Sequence, residues 1–315
     1  MSDGPDGERE LIARAGRVRR LLLAGSSELN GLDPRATPGL PRNRPKDIDA
    51  KTWSRSEVGR LGQLLGARQE RMFARAKAGV DRRRLLLVLQ AVDCGGKDGT
   101  VRSVVGSMDP LGMHLKAFGP PTAEERAHHF LWRINNALPP AGYIGVFNRS
   151  HYEDVLAVRV KDLAPKSVWR RRYGEINSFE DALVNDGITI VKVMLHISYE
   201  EQAERLLARL DDPSKRWKFS PADLDDRDHW AEYQQAYGDV LDKCSAAAPW
   251  YVVPADRKWY RNWAVANLLL AHLDDMRPTY PEVDLAVDEL RARLAGNQVR
   301  TDHAGPDNDP PEPPA

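Results

Sequence analysis

At 315 residues, 42% of them hydrophobic, the chain is long enough for one large α/β core or two small ones. Its 46 Lys and Arg balance 46 Asp and Glu, and a formal net charge of zero argues against a protein that coats nucleic acid or an anionic membrane. Two cysteines, Cys94 and Cys244, make neither a disulfide framework nor a metal-binding spacing, which suits a reducing, cytoplasmic compartment.

The opening MSDGPDGERE has no basic or apolar leader character, and no stretch approaches the ~18 apolar residues of a membrane span. A basic amphipathic patch, Leu11 to Leu23, runs into GLDPRATPGLPRNRP, whose prolines and glycines break regular structure. Residues 1–50 are therefore expected to form an extension that packs as an arm on something larger. Residues 51–276 read as the core. Within it, apolar runs with β-branched content predict strands at Leu85–Leu89, Tyr143–Phe147, Ile188–Leu195 and Trp250–Val253, with a weaker one at His114–Phe118. Helical patterns separate them. Thr122 with Glu125 and Ser198 with Glu201 fit capping boxes, and Ser220 before Pro221 fits a cap with proline at the first helical position. Near-continuous apolar strands alternating with helices predict an α/β fold built on a parallel sheet covered on both faces. Residues 277–315 carry one helical pattern, Val283 to Leu294, and a polar, proline-rich tail, GPDNDPPEPPA, expected to be disordered.

The most informative segment is LLLVLQAVDCGGKDGT, residues 85–100. A hydrophobic strand enters a turn at Gly95 and Gly96, then Lys97, then a helical pattern through Val101, Val104, Val105 and Met108. Glycines let successive N–H groups face an anion, the helix N-terminus adds partial positive charge, and the lysine reaches terminal phosphates. Ala91 stands where the phosphate-loop pattern has its first glycine, and Asp98 replaces the hydroxyl residue that ligates magnesium. Asp93 would repel phosphate without an intervening cation, so it reads as a metal ligand or an orienting group. Asp98, Gly99 and Thr100 are either phosphate-binding or ordinary first-turn residues that favour the helix dipole. Asn148 and Arg149 end the third strand at the carboxyl edge, where ligands bind in open parallel sheets. Arg149 could fork onto phosphate oxygens and Asn148 could hold a metal-bound water. Arg133 follows an apolar FLW on the helix opened by Thr122, and either snorkels to solvent or contacts a phosphate chain. Trp132 reads as core.

Three further stretches make a specific match: PTAEERAHHFLWRINNALPPAGYIGVFNRSHYEDVL, RLDDPSKRWKFSPADLDDRDHW and APWYVVPADRKWYRNWAVANLLL. With the loop, in wording and order over roughly Leu40 to Met276, they resemble the polyphosphate kinase 2 family. Asn148 in Phe147–Ser150 resembles the subgroup acting on both nucleoside mono- and diphosphates. Two departures stand out: Gly119 follows Phe118 where relatives often carry a lysine, and His129 replaces a common acid. The resemblance implies a P-loop kinase core with a helical lid at about 206–222, magnesium dependence with manganese as a substitute, and a homo-oligomer, dimer or tetramer. It implies transfer of the terminal phosphoryl group of inorganic polyphosphate to AMP, ADP or another nucleotide, with neither nucleic acid nor membrane as partner. Asp93, Lys97, Arg149 and Glu153 would be catalytic, with Asp93, Asn148 and Glu153 around the metal. Arg205, Arg209, Lys215, Arg216 and Lys218 are either a solvated face or lid cations closing over phosphate, with Trp217 and Phe219 seating the lid. Asp256, Arg257, Lys258 and Trp259 either line the acceptor site or merely start a helix. The rival readings are an ATP-dependent kinase of a nucleotide or other small acceptor, and a non-catalytic binding module with a degenerate loop.

Overall fold

The computed structural model describes residues 5–24 and 29–296. Five strands, β1 (Arg84–Gln90), β2 (Met113–Ala117), β3 (Ile144–Asn148), β4 (Ile188–His196) and β5 (Trp250–Pro254), form one sheet in the order β2-β3-β1-β4-β5. Every pairing is parallel. These are the five expected segments, differing only at their end residues. The weakness of the second signal has a physical cause: β2 is an edge strand, and Leu115 to Ala117 are exposed, so nothing demands an apolar run there.

The helices are α1 (Pro5–Leu22), α2 (Ala50–Lys77), α3 (Lys97–Val104), α4 (Ala123–Ala127), α5 (Trp132–Asn135) and α6 (Ala157–Val160). They continue with α7 (Lys166–Asn185), α8 (Tyr199–Asp211), α9 (Ala222–Asp228), α10 (Trp230–Lys243) and α11 (Lys258–Asp275). Alternation along β1 explains the two layers. Leu85, Leu87 and Leu89 join a core with α1, α2, α3 and α11, whereas Leu86 and Val88 face a second core with α7 and α10. The Thr122 capping box forms as expected, and Ser198 caps α8. Pro221 stands at the cap rather than inside α9, with Ser220 Oγ accepting from Ala222 N at 3.3 Å.

Two expectations change. The first fifty residues are not merely an arm: α1 buries Leu11, Ala15, Val18 and Leu22 against α11 and β5, and Arg14 forms a buried ion pair with Glu57. Three large apolar side chains at about 2 kcal/mol each make this helix worth on the order of 5 kcal/mol of burial. The proline-rich run after it drapes over the carboxyl edge of the sheet. Pro34 O accepts from Asp256 N at 3.2 Å, Pro38 O from the Tyr260 hydroxyl at 2.7 Å, and Leu32 O lies 3.3 Å from His196 Nε2. Second, Arg133 does not ride on the Thr122 helix. That helix ends at Ala127, and Arg133 sits on the separate short α5, where Trp132 is half-buried and stacked on His128 at 4.2 Å. Residues 282–315 form a separate unit, whose described part holds α12 (Val287–Gly296); the tail GPDNDPPEPPA lies outside the described residues. Among the described residues, no helix is long and apolar enough to cross a membrane.

Candidate active site

The chain leaves β1 toward β2 on one side and leaves β3 toward β4 on the other, so β1 and β3, neighbours in the sheet, diverge at their carboxyl ends. In open parallel sheets such a divergence opens a crevice for ligand. The loop after β1 and the residues after β3 meet there, Arg149 N donating to Leu89 O at 3.1 Å.

The loop turns tightly. Gly95 N donates to Val92 O at 3.0 Å, Cys94 takes φ 63° and Gly96 takes φ 103°. A β-carbon on Gly95 would overlap the methyl group of Ala91, so glycine at 95 is what allows alanine at the position of the pattern's first glycine. A β-carbon on Gly96 would overlap Arg261 Nη1. Lys97 opens α3 and folds back over the loop, its ammonium donating to Ala91 O at 2.8 Å and reaching Val92 O at 3.4 Å. Burial, with Arg149 close by, lowers its pKa. Thr100 is fully buried and its hydroxyl donates to Gly96 O at 3.2 Å, so it locks the first turn of α3 instead of lining the groove.

Across the crevice, Arg149 adopts φ 63° and its guanidinium donates to Asp93 Oδ1 at 2.6 Å. Burial opposes the Arg149 charge, but Glu153 and Asp93 outweigh it and hold the pKa above its ordinary value. Burial likewise pushes Asp93 up, yet Lys97 and Arg149 prevail and keep it ionised below the usual carboxylate range. Glu153 sits on a 3-10 turn, His151–Asp154, capped by Ser150. Burial raises its pKa despite Arg149 and Lys97. With its amide turned to satisfy both ends, Gln90 donates to Glu153 Oε1 at 3.1 Å and accepts from Ser150. Asn148 donates to Asp98 Oδ1 at 2.8 Å. Among the described residues, no three Asp, Glu, His or Cys side chains converge as a preformed metal cage.

The cationic segment divides. Arg205 is buried behind the loop, donating to Cys94 O (2.9 Å), Ala255 O (2.5 Å) and Asp256 O (3.0 Å), while Gln202 holds Asp93 O at 3.0 Å. It braces the loop from below. Lys218 reaches Asp98 Oδ2 at 3.2 Å, and Arg209 bonds Lys218 O and Asp223. Lys215 pairs with Asp212 and lines the same groove, whereas Arg216 turns away to Leu210 O at 2.7 Å and is absent from the lining. Trp217 does not seat this segment; it is 78% exposed, and Phe219 is half-buried.

Two cavities meet at these residues. A groove of about 650 Å³ follows the loop and is lined by Lys97, Asp98, Arg149, Arg209, Lys218 and Arg261 among others. A second cavity, of about 460 Å³, is walled by Phe118, Phe130, Arg133, Arg149, Glu153 and Arg172 among others. Arg133 therefore belongs to the second cavity, donating to Gly119 O at 2.9 Å with its guanidinium over the Phe118 ring. A small cavity of about 60 Å³, touching Asp93, Arg149 and Glu153, lies beside them. Sequence reasoning missed Arg261. It is 3% exposed, burial and Arg205 press its pKa down to about 10, and its guanidinium donates to Asn262 Oδ1 (2.8 and 3.1 Å). The signal was available: Arg261 stands one helical turn after Lys258, so both share a face.

Comparison with known proteins accords with this geometry. The family model described as polyphosphate kinase 2 matches residues 62–281. An AMP/ADP-polyphosphate phosphotransferase of Meiothermus ruber is 42% identical over 267 residues, 84% of this chain and 96% of that protein. An ADP-polyphosphate phosphotransferase of Rhodopseudomonas palustris is 41% identical over 241 residues, 72% of this chain and 80% of that protein. A crystal structure of polyphosphate kinase 2 from Arthrobacter aurescens superposes with a TM-score of 0.83 at 46% identity, covering 90% of this chain and 98% of that one. A phosphate loop at the divergence of β1 and β3, braced by α8 and matched along nearly the whole of such relatives, has one reading: this chain belongs to the polyphosphate kinase 2 family.

Proposed function

We propose that the protein transfers the terminal phosphoryl group of inorganic polyphosphate to a nucleoside mono- or diphosphate, AMP to ADP or ADP to ATP, reversibly. The observation that carries this is the position of Arg149, which lines both the loop groove and the aromatic-walled cavity. A phosphate chain in the groove and a nucleotide in the cavity, with its base against Phe118 or Phe130, would bring donor and acceptor phosphates together at this one guanidinium.

The nucleophile is a phosphate oxygen, already anionic, so no activated serine or cysteine is needed. Catalysis becomes positioning plus neutralisation of charge spread over the transferring oxygens. Loop amides would cradle the donor phosphates. Lys97, resting on Ala91 O, would exchange that carbonyl for a phosphate oxygen. Arg149 would face the transferring group from the acceptor side, and Arg209, Lys215 and Lys218 would close over it. Asp93, bonded to the Arg149 guanidinium, and the nearby charge of Glu153 would keep that side chain aimed into the crevice.

The donor set fits a hard cation. Asp93 is ionised, and Asp98 and Asn148 add oxygens at the same rim. Among the described residues fewer than three acids converge; magnesium keeps several waters and shares its shell with substrate phosphates. Magnesium, or manganese in its place, would be held by Asp93 with Asn148 or Glu153 through water, and would neutralise phosphate charge. The reading includes a cytoplasmic homo-oligomer, as the family resemblance implies.

The test mixes protein, magnesium and AMP or ADP with polyphosphate as the only phosphate donor, and follows the nucleotide by chromatography. A more phosphorylated nucleotide is expected. Lys97→Ala should cut kcat about 10²–10³-fold, the usual loss when one preorganised donor to a developing oxyanion is removed, with unchanged circular dichroism. Turnover with ATP but not with polyphosphate would overturn the donor assignment.

A further inference from the structure

Beyond the loop lies a third depression, of about 720 Å³, that the reaction as described does not use. Its walls come from the start of α2 (Lys51, Arg55), from Ser103 of α3, and from Arg257, Lys258 and Asn262 at the start of α11. Glu201 and Asp256 also face it, but both are engaged. Glu201 accepts from Arg205 Nε at 2.7 Å, and Asp256 accepts from Ser198 N and Oγ at 2.8 and 2.9 Å. The cations are not engaged in this way. Among the described residues, the side chains of Lys51, Arg55 and Lys258 have no hydrogen-bonded or ion-paired carboxylate, and Arg257 lies only over the Trp259 ring. All four are solvent-exposed.

This depression is continuous with the loop groove. Lys258 lines both, and Arg261 in the groove is bonded to Asn262 in the depression. Lys258 also feels the crowding of like charge: burial and Arg205 lower its pKa, with Arg261 and Lys215 adding to the effect. Lys51 and Arg55 stand one turn apart on α2, as Lys258 and Arg261 do on α11, so the two helices offer facing pairs of cations. A mononucleotide needs no such length of unpaired positive charge. A long linear polyanion does.

We infer that the groove bounded by Lys51, Arg55, Arg257 and Lys258 is a binding track for the distal phosphates of a condensed phosphate chain whose reacting end lies at Gly95–Lys97. The inference rests on the proposed donor. It assigns to α2 a role in chain-length preference that the loop alone cannot supply, because only chains extending past Lys258 reach it.

The test uses the full chain carrying Lys51→Ser together with Arg55→Ser, both on exposed positions of α2, with tripolyphosphate and long-chain polyphosphate as alternative donors at saturating nucleotide. The KM for the long chain should rise about tenfold, and its dependence on salt should flatten, since fewer phosphate charges are neutralised. The KM for tripolyphosphate, the KM for nucleotide and kcat should stay at parental values. Equal weakening with both donors, or no change with either, overturns the track. An active parent with unchanged variants refutes the track alone, whereas a parent inactive with every chain refutes the donor assignment and the track together.

Discussion

Substitution of Gly96 by alanine probes the loop where it is most tightly determined. The residue sits at φ 103°, where a β-carbon is strained at a cost of about 1–2 kcal/mol. The added methyl group would also overlap Arg261 Nη1, and moving a buried guanidinium is an overpacking penalty of about 1–3 kcal/mol. The sum, about 3 kcal/mol, should lower Tm by about 6–9 °C, at about 2–3 °C per kcal/mol for a chain of this size. In an Arg261→Ala background the overlap disappears and only the backbone part remains, so a double-mutant cycle by calorimetry should give a coupling of about 1–3 kcal/mol. Gly99→Ala is the control. Its β-carbon would lie 2.8 Å from Arg261 Nη2, a milder overlap than the one at Gly96, and its backbone is right-handed within α3, so it should cost less. Additivity of Gly96→Ala and Arg261→Ala within about 0.5 kcal/mol would refute the claim that the guanidinium rests on the loop.

Two further outcomes are expected. Burial raises the folded-state pKa of Glu153, so the folded protein holds this proton to higher pH than the unfolded chain does. Stability conferred by the protonated form is therefore lost as pH rises, and the Tm advantage of Glu153→Gln over the parent should grow from acid to neutral pH; a constant difference across that range would count against the shift. In activity, the acid limb of kcat/KM should lie above that of an ordinary glutamate and vanish in Glu153→Gln. The buried group behind the site offers the second outcome. Lys192 Nζ contacts Glu180 Oε2 (2.5 Å) and Cys244 O (2.6 Å), and the Tyr152 hydroxyl donates to Glu180 Oε1 (2.7 Å). Glu180→Gln leaves a fully buried ammonium uncompensated and should cost about 3–5 kcal/mol, whereas Glu180→Gln with Lys192→Met should cost less, as measured by denaturant unfolding. A double variant as unstable as the single one would deny the pairing.

The strands were legible because a sheet buried on both faces must be written in apolar residues, and only β2, exposed at an edge, was faint. The loop was legible because glycine, lysine and strand stand next to one another in sequence. What escaped depends on distance. Arg261 reaches the loop from 165 positions downstream of Gly96, by the difference of their numbers, and the one local clue, the helix face it shares with Lys258, does not say which loop that face meets. The cationic run after Arg205 looks uniform in sequence, yet the fold sorts it. Arg205 is drawn under the loop by three carbonyls, one from the loop itself and two from the residues after β5, Lys218 is fixed on Asp98, and Arg216 is turned outward. Thr100 was left open because a first-turn hydroxyl can face either ligand or backbone, and here the Gly96 carbonyl takes it. The N-terminal helix was underestimated for a related reason: its apolar stripe was visible, but the α11 surface that buries it lies far away in sequence.

The proline-rich run bears on how this protein can be handled. Anyone trimming the first fifty residues as dispensable would strip the carbonyl at Pro38 from the buried Tyr260 and the carbonyl at Pro34 from the amide of Asp256. Asp256 is the residue that caps Ser198 and so sets the start of α8, whose Arg205 braces the loop. A shortened enzyme should thus fail in catalysis although the cut removes none of the loop's own residues, and fusion partners belong ahead of α1, not in its place.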